Sequence, residues 1–362
     1  GEAGVNQGSL CVKGRFGFDF IHHPDRLQKP LVKKSGVFAE ISWEESVGLV
    51  ATKLQEIKER YGAQSIGGIS STRGTNEENY LFQKWMRACI GTNHIDNGAR
   101  LSSGSSLYGM MASTGCGAMT HAMDAVTQSD LILIVGADSY DDNLIFSNKM
   151  REAIRKNNAK IILVDPRKTQ WEKWADLWLR PLPGTDIAWI NGLVRLLIEK
   201  GASSKEFVAS KTEGFETLRS SAKKFSPEFV KNTAGIPQAE LEGAANLYLS
   251  AKKRAIVFGS GVTQHAHGTE IVKALCNLAL LTGETEDGGG GVYPLQTQNN
   301  VQGACDMGAL PNVFTAYQAV ADPAARDVLE AHVKAMEVAA HDEEDAEGSR
   351  VGIPAGEEAR LE

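Results

Sequence analysis

Three apolar runs, inside "SDLILIVGAD", "AKIILVDPRKT" and "KRAIVFGSGVTQ", constrain this chain more than any other feature. In each the apolar residues are consecutive, and each run ends abruptly in Gly or Asp: Gly136, Asp165 and Gly259. A strand with one wet face alternates apolar and polar residues. A strand that is apolar throughout is covered on both faces, as an interior parallel strand between helical layers is. Helical patterns over 148–156 and 187–200 separate the runs, so the spacing predicts an α/β fold with a doubly wound parallel-sheet lobe over about 99–297.

Ahead of that lobe, Ser42 with Glu45 three residues on reads as a helix N-terminus. Val47, Val50, Leu54 and Ile57 follow at helical spacing, and Tyr61-Gly62 ends the pattern. "SIGGIS" reads as a short buried strand, and 76–90 as a helix offering Tyr80, Phe82, Trp85, Met86 and Ile90 for packing. A chain of 362 residues supports two or three such units. The expected division is a second α/β lobe from 23–98 with 298–333, the lobe at 99–297, a short leading segment at 1–22, and an acidic tail at 334–362. That tail reads as a solvated helix running into a mobile end.

A formal charge of −7 excludes the basic face that nucleic acid or an acidic membrane would reward. No window holds the roughly 18 uncharged apolar residues of a membrane span, and the first residues read as the inside of a loop rather than as a leader. Five scattered cysteines without a CxxC argue against a disulfide framework and for a reducing, cytoplasmic setting. Of these, Cys116 and Cys276 are expected to pack as small hydrophobes.

Ligands of open parallel sheets bind beyond the carboxyl ends of the strands. Here those ends are "GADSYDDN", "DPRKT" and "GSGVTQHAHG", with "PLPGTD" nearby. Glycine permits close backbone approach, and carboxylates accept from ribose hydroxyls and base N–H groups. No GxGxxG precedes Asp165, so a nicotinamide cofactor fits poorly and a bulkier polar one, bound across several loops, fits better. His121, His265 and His267 lie beside these loops; the two of "HAH", His265 and His267, read as solvent-facing, without acidic or cysteine partners at metal-ligand spacing.

Several segments together, "GSLCVKGRFGFDFIHHPDRLQKPL", "SSTRGTNEENYLFQKWMRACIGTNHID", "VDPRKT", "PLPGTDIA" and above all "QNNVQGACDMGALP", resemble the molybdopterin oxidoreductases, most closely the formate dehydrogenase catalytic subunit. The resemblance implies two molybdopterin guanine dinucleotides around one Mo or W, held in segments containing Gly136, Asp165, Arg167, Gly184, Asp186, Gly261, Gln264, Gln298, Asn299 and Gln302. It makes Cys11 the last of four ligands of a [4Fe–4S] cluster and Lys13 the residue between cluster and pterin. The cluster needs four thiolates, so it is expected only if three further cysteines precede Gly1. The resemblance also implies iron–sulfur or flavin electron-transfer subunits as partners.

The stretch "ARLSSGSSLYG" departs from that pattern. Where formate dehydrogenases carry a metal-bound selenocysteine or cysteine, then a histidine, this sequence has Ser102 and Ser103. Where they carry an arginine for the formate carboxylate, it has Gln296. A serine hydroxyl binds only as an alkoxide on a hard, high-valent metal, whereas a thiolate or selenolate is a soft ligand. Ser103 does not shuttle protons near neutral pH as imidazole does. Gln296 lacks the charged fork of arginine, a loss of about 1.5–3 kcal/mol in binding a carboxylate. Three readings follow: a formate dehydrogenase-like subunit with formate oxidation lost or reduced, serving as an electron relay or scaffold; an oxygen-atom-transfer reductase with Ser102 on the metal; and residual formate chemistry with serine replacing a selenocysteine, which leaves Ser103 and Gln296 unexplained.

Overall fold

The computed structural model describes residue 8 and residues 10–331, apart from 204, 287, 289 and 329; the tail expected from 334 lies outside the described residues. Two units emerge. One combines Asp19–Arg100 with the residues from Gln298 onward; the other combines Leu101–Thr297 with the residues up to Phe18.

In the first unit, β1 (Leu31–Lys34) and β2 (Val37–Glu40) form an antiparallel hairpin whose turn, Ser35-Gly36, has positive φ at both residues. α1 (Trp43–Tyr61) starts at Ser42, whose hydroxyl accepts from the Glu45 amide at 3.0 Å, as the sequence predicts. Its apolar side is largely uncovered, however: Val47 is 64% exposed, and only Leu54 reaches the small core of Ile66, Met86, Ile90, Ile95 and Ala309. β3 (Gly68–Ser70) pairs in parallel with β4 (Ile95–Asn97). The expectation of a buried strand in "SIGGIS" is corrected, because a two-stranded sheet has an open face and Ile69 stands 85% exposed on it.

The helix expected over 76–90 is two pieces, α2 (Asn76–Trp85), opened by a Thr75–Glu78 capping box, and a π-helical turn at Met86–Ile90. That turn carries Arg87 inward. Its guanidinium donates to the carbonyls of Gly308 (2.9 Å), Leu310 (2.7 Å) and Val313 (2.9 Å), to Asn93 Oδ1 (2.8 Å) and to Gln83, and lies 4.9 Å from the centre of the Phe314 ring. Burial lowers its pKa from 12.5 to about 10. Asn300 ties the start of the helix Val301–Asp306 to the 72–76 turn, its amide donating to the Gly74 carbonyl at 2.9 Å.

The second unit begins with α3 (Gly104–Thr114) and is built on five parallel strands, in the order β7-β6-β5-β8-β9. These are β5 (Leu131–Val135), β6 (Lys160–Val164), β7 (Leu177–Leu179), β8 (Arg254–Phe258) and β9 (Val292–Pro294). Leu131, Leu133 and Val135 of β5 face one core and Ile132 and Ile134 the other, so the consecutive apolar run feeds two layers. Between the strands run α4 (Leu144–Asn157), α5 (Asp186–Glu199) and α6 (Gln238–Ser250). α7 (Gly268–Thr282) follows β8 and packs on α3.

The α3–α7 contact is close because it is lined by small residues. A Cβ on Gly109 would meet Val272 at 2.6 Å, and one on Gly268 would meet Ser105 Oγ at 2.6 Å. Cys276 Sγ lies 3.4 Å from Met110 Sδ. The three contacts advance together along both helices, so α3 and α7 run parallel. Cys276 is buried as expected, whereas Cys116 is exposed, in the loop just past the end of α3.

Candidate functional site

β5 pairs with β6 and β8 so that Val135, Val164 and Phe258 come level, and the three chains leave the sheet together. From β5 the chain moves outward through β6 and β7, then returns to the other side at β8. This is the switch point at which an open parallel sheet parts its loops. A crevice of about 160 Å³ lies there, lined by Gly136, Ala137, Asp138, Asp142, Asn143, Arg167, Gly259, Ser260 and Leu295–Thr297.

Its floor is glycine because two backbones touch. Gly136 has φ +52°, its carbonyl accepts from Gly261 N at 2.9 Å, and a Cβ on it would lie 2.8 Å from the Gly261 carbonyl carbon. Gly184 also has positive φ (+82°), but a Cβ there would meet open space, which makes it a turn glycine.

Asp165, 2% exposed at the end of β6, accepts from Arg167 N at 2.8 Å, with Arg167 Nε 3.4 Å away. Arg167 itself is exposed, and its other side lies 3.8 Å from Asp138. Asp186 opens α5 and accepts from Trp189 Nε1 at 3.1 Å. Burial pushes its pKa up; the Trp189 hydrogen bond and nearby His265 oppose this, and the charge of Asp165 adds to it. His265 is thus half-buried and near the Asp186 carboxyl rather than free in solvent, while His121 bonds Thr120 Oγ1 and the Glu286 carbonyl.

Ser102 and Ser103 are buried, their hydroxyls 3.3 Å apart. Thr263 Oγ1 donates to the Ser102 carbonyl at 2.6 Å, tying this point to the loop after β8 that carries Gly261 and the exposed Gln264. The backbone of Gln296 is held by Asn143, which donates to its carbonyl at 2.8 Å. Gly136, Arg167 and Gln296 therefore share one crevice. Asp165, Asp186 and His265 form a second group coupled by charge.

Gln298, Asn299 and Gln302 belong to the other unit. Gln298 Oε1 is buried without a hydrogen-bond partner, Asn299 is exposed, and Gln302 donates to Asp306 at 2.8 Å and to the Tyr317 hydroxyl at 3.3 Å. Cys11 caps the short helix Val12–Phe16, where the Gly14 amide lowers its thiol pKa, and Lys13 projects from that helix into solvent. Among the described residues no three His, Cys, Asp or Glu side chains gather at metal-binding distance, and no helix is long and apolar enough to cross a membrane. Asp138, Asp142, Asn143 and Thr297 line the crevice without having been singled out from sequence; the strand-end segment "GADSYDDN" was the signal for the first three.

A family model described as molybdopterin oxidoreductase matches residues 26–349. The chain is 42% identical over 318 residues to the F420-dependent formate dehydrogenase subunit alpha of Methanocaldococcus jannaschii, covering 88% of this chain and 46% of that protein. It is 43% identical over 330 residues to formate dehydrogenase H of Escherichia coli, with coverages of 89% and 46%. It therefore spans about half the length of these relatives. Acetylene hydratase from Pelobacter acetylenicus shares the fold, with a TM-score of 0.69 at 23% identity over 79% of this chain and 39% of that one. With a model match over nearly all of its length and an α/β fold shared with a solved structure, the chain belongs to the molybdopterin oxidoreductase family.

Proposed function

We propose that this chain binds molybdopterin guanine dinucleotide, two copies around one Mo or W, as a formate dehydrogenase-like subunit whose formate oxidation is lost or reduced. The observation that carries the binding reading is the switch-point crevice. It offers bare backbone at Gly136 for close approach of a nucleotide and the guanidinium of Arg167 for a phosphate, and the amide of Arg167 ties it to Asp165, which with Asp186 forms a neighbouring pair of buried acceptors for ribose and base donors. These donors and acceptors of the sheet-bearing unit fit the cofactor; in the other unit, taken by itself, Gln298 Oε1 is buried without a partner, an acceptor that a ligand N–H would satisfy. When bound, the cofactor supplies the redox chemistry of its metal.

The chain's own residues then set what reacts. Ser102 and Ser103 form a buried hydroxyl pair with no group that titrates near neutral pH, so they orient by hydrogen bonds and move no proton. Gln296 contributes an amide rather than a charged fork to the crevice, which weakens the hold on a carboxylate. Electrons would pass to iron–sulfur or flavin subunits of a larger complex; that the relative from Methanocaldococcus jannaschii is named as a subunit alpha supports a multi-subunit assembly. Cys11 would close a [4Fe–4S] site together with cysteines outside this sequence.

Elemental analysis for Mo, W and Fe, with pterin fluorescence after oxidation, tests the binding reading on purified protein. Pterin and metal are expected. Formate-driven dye reduction is expected to be about tenfold or more below that of the combined Ser102→Cys, Ser103→His and Gln296→Arg variant. Absence of pterin would overturn the reading, and so would brisk formate oxidation indifferent to those three changes. Reduction of an oxo-acceptor that Ser102→Ala abolishes would select the oxygen-atom-transfer reading instead.

A further inference from the structure

Left-handed backbone is the place of glycine, or of asparagine, because other side chains crowd the neighbouring carbonyl there. The turn at 316–317 breaks that habit. Ala316 (φ +59°) and Tyr317 (φ +58°) are both left-handed, and the turn is closed by the Phe314 amide, which donates to the Gln318 carbonyl at 2.7 Å. A bulky aromatic with positive φ is an outlier that persists only where surrounding contacts over-determine it.

Those contacts press the turn onto the end of the helix Val301–Asp306. A Cβ on Gly308 would lie 2.5 Å from Thr315 N, and Thr315 Oγ1 donates to the Met307 carbonyl at 3.1 Å. From there Tyr317 reaches back along the helix, where its hydroxyl accepts from Gln302 Nε2 at 3.3 Å and bonds the Asp306 carboxyl. Partial burial raises the pKa of this phenol, and the charges of Cys305 and Asp306 add to the rise, so the hydroxyl keeps its proton and accepts and donates at once. Asp306 Oδ1 accepts from the same Gln302 nitrogen at 2.8 Å. A carboxylate only accepts, which fixes the end of the Gln302 amide that faces it as nitrogen. Both amide hydrogens are then engaged. Oε1 is left as the acceptor, and among the described residues no protein donor meets it.

We propose that Tyr317 is a positioning residue, which holds the Gln302 amide with its oxygen free as the acceptor for an N–H edge of the pterin cofactor. The left-handed backbone at Tyr317 is what brings its hydroxyl onto Gln302, so the strain of the turn serves the orientation of a side chain fifteen residues earlier. An exposed glutamine held by Asp306 alone could still turn about its last bonds; held from two sides, it presents one face. The inference rests on the cofactor reading, in which Gln302 is one of the residues set against the cofactor.

The test reads Gln302 directly. Glutamine-selective nitrogen-15 labelling of the purified protein gives its side-chain amide as a pair of proton resonances, assigned by their loss in Gln302→Leu. A dispersed, slowly exchanging pair is expected. Tyr317→Phe keeps the ring and removes the hydroxyl; it is expected to move the pair toward free-glutamine positions and to speed its exchange with water about threefold to tenfold, the loss of one neutral hydrogen bond. Pterin carried per chain, read by fluorescence after oxidation, is expected to fall by about the same factor in Tyr317→Phe and in Gln302→Leu. A residue that acts through another adds nothing once that other is gone, so the double variant is expected to carry no less pterin than Gln302→Leu alone.

An amide pair unmoved by Tyr317→Phe would overturn the positioning role. So would pterin content that Tyr317→Phe leaves unchanged, or losses that add in the double variant, as a purely structural part for Tyr317 would give. Should Tyr317→Phe fail to fold by circular dichroism, the native protein and Gln302→Leu decide: a fast-exchanging native pair, or pterin content kept in Gln302→Leu, would overturn the proposal. Unsubstituted protein that carries no pterin would overturn the functional reading instead, and the amide pair would then still judge whether Tyr317 holds Gln302.

Discussion

Among single residues, Asp186 shows how a binding group is kept at the expense of the fold. Its carboxyl is buried against Trp189 and its pKa is raised by that burial. The folded state therefore holds the proton more tightly than the unfolded chain, and stability rises as pH falls toward the ordinary value of 3.8. Asp186→Asn keeps the shape and removes the buried charge. It is expected to raise the urea midpoint of cofactor-free protein at pH 7 while lowering its affinity for guanosine monophosphate.

The thiols give a second residue-scale prediction. Burial raises Cys276 from 9.0 to about 12 and Cys305 to about 11, so these groups favour the folded state below pH 9 and lose that contribution as pH climbs toward the folded values. Iodoacetamide at pH 8 is expected to label Cys89 and Cys116 in the native protein, and Cys276 and Cys305 only in denaturant, as peptide mass mapping would read. The sequence expectation of a packed thiol holds for Cys276, which the structure places on the buried side of α7. It fails for Cys116, which lies just past the helix end that Gly115 makes in the left-handed conformation.

At the scale of elements, the sheet was the most legible part of the molecule. β5 has five consecutive apolar residues, and β6 and β8 have four each behind a leading Lys160 or Arg254, with helices between them, so tertiary packing had nothing to override. α1 was legible as a helix, through its Ser42 cap, but not in its burial: periodicity tells which residues share a face and is silent on what covers it. The crevice was legible only in outline. Asp165 and Gly136 announce themselves at strand ends, whereas Asn143 and Thr297 reach it because register aligns β5, β6, β8 and β9. Beyond the strand ends, the loops after β5 and β8 stay close through the Gly136–Gly261 contact. Gly136→Ala places a Cβ against backbone at positive φ and is expected to destabilise the second unit by about 1–3 kcal/mol in urea unfolding, whereas Gly184→Ala, facing open space, carries the dihedral cost alone.

For the whole molecule, the chain leaves the first unit at Arg100 and re-enters it at Gln298. The returning strand of chain is bound by a buried cation, since Arg87 is accepted by three carbonyls between Gly308 and Val313. Arg87→Met is expected to cost at least about 2 kcal/mol of that unit's stability, because several carbonyls lose a charged donor at once. A chain ending at Thr297 is expected to retain a protease-resistant core over the five-stranded sheet while the 19–100 region is digested, as mass spectrometry of the fragments would report.

Such an arrangement also orders events in time. A ribosome delivers the 19–100 segment first, yet the oxygens that receive Arg87 emerge only after roughly 200 further residues, which at about 5–20 residues per second is roughly 10–40 seconds. The middle of the chain is thus complete and able to fold while the beginning still waits. During that interval the nascent segment presents Met86, Ile90 and Ile95 without their final cover of Ala309. The 19–100 segment thus waits through synthesis of the whole five-stranded sheet for the rest of its own core, and slow translation of the centre would lengthen that wait most.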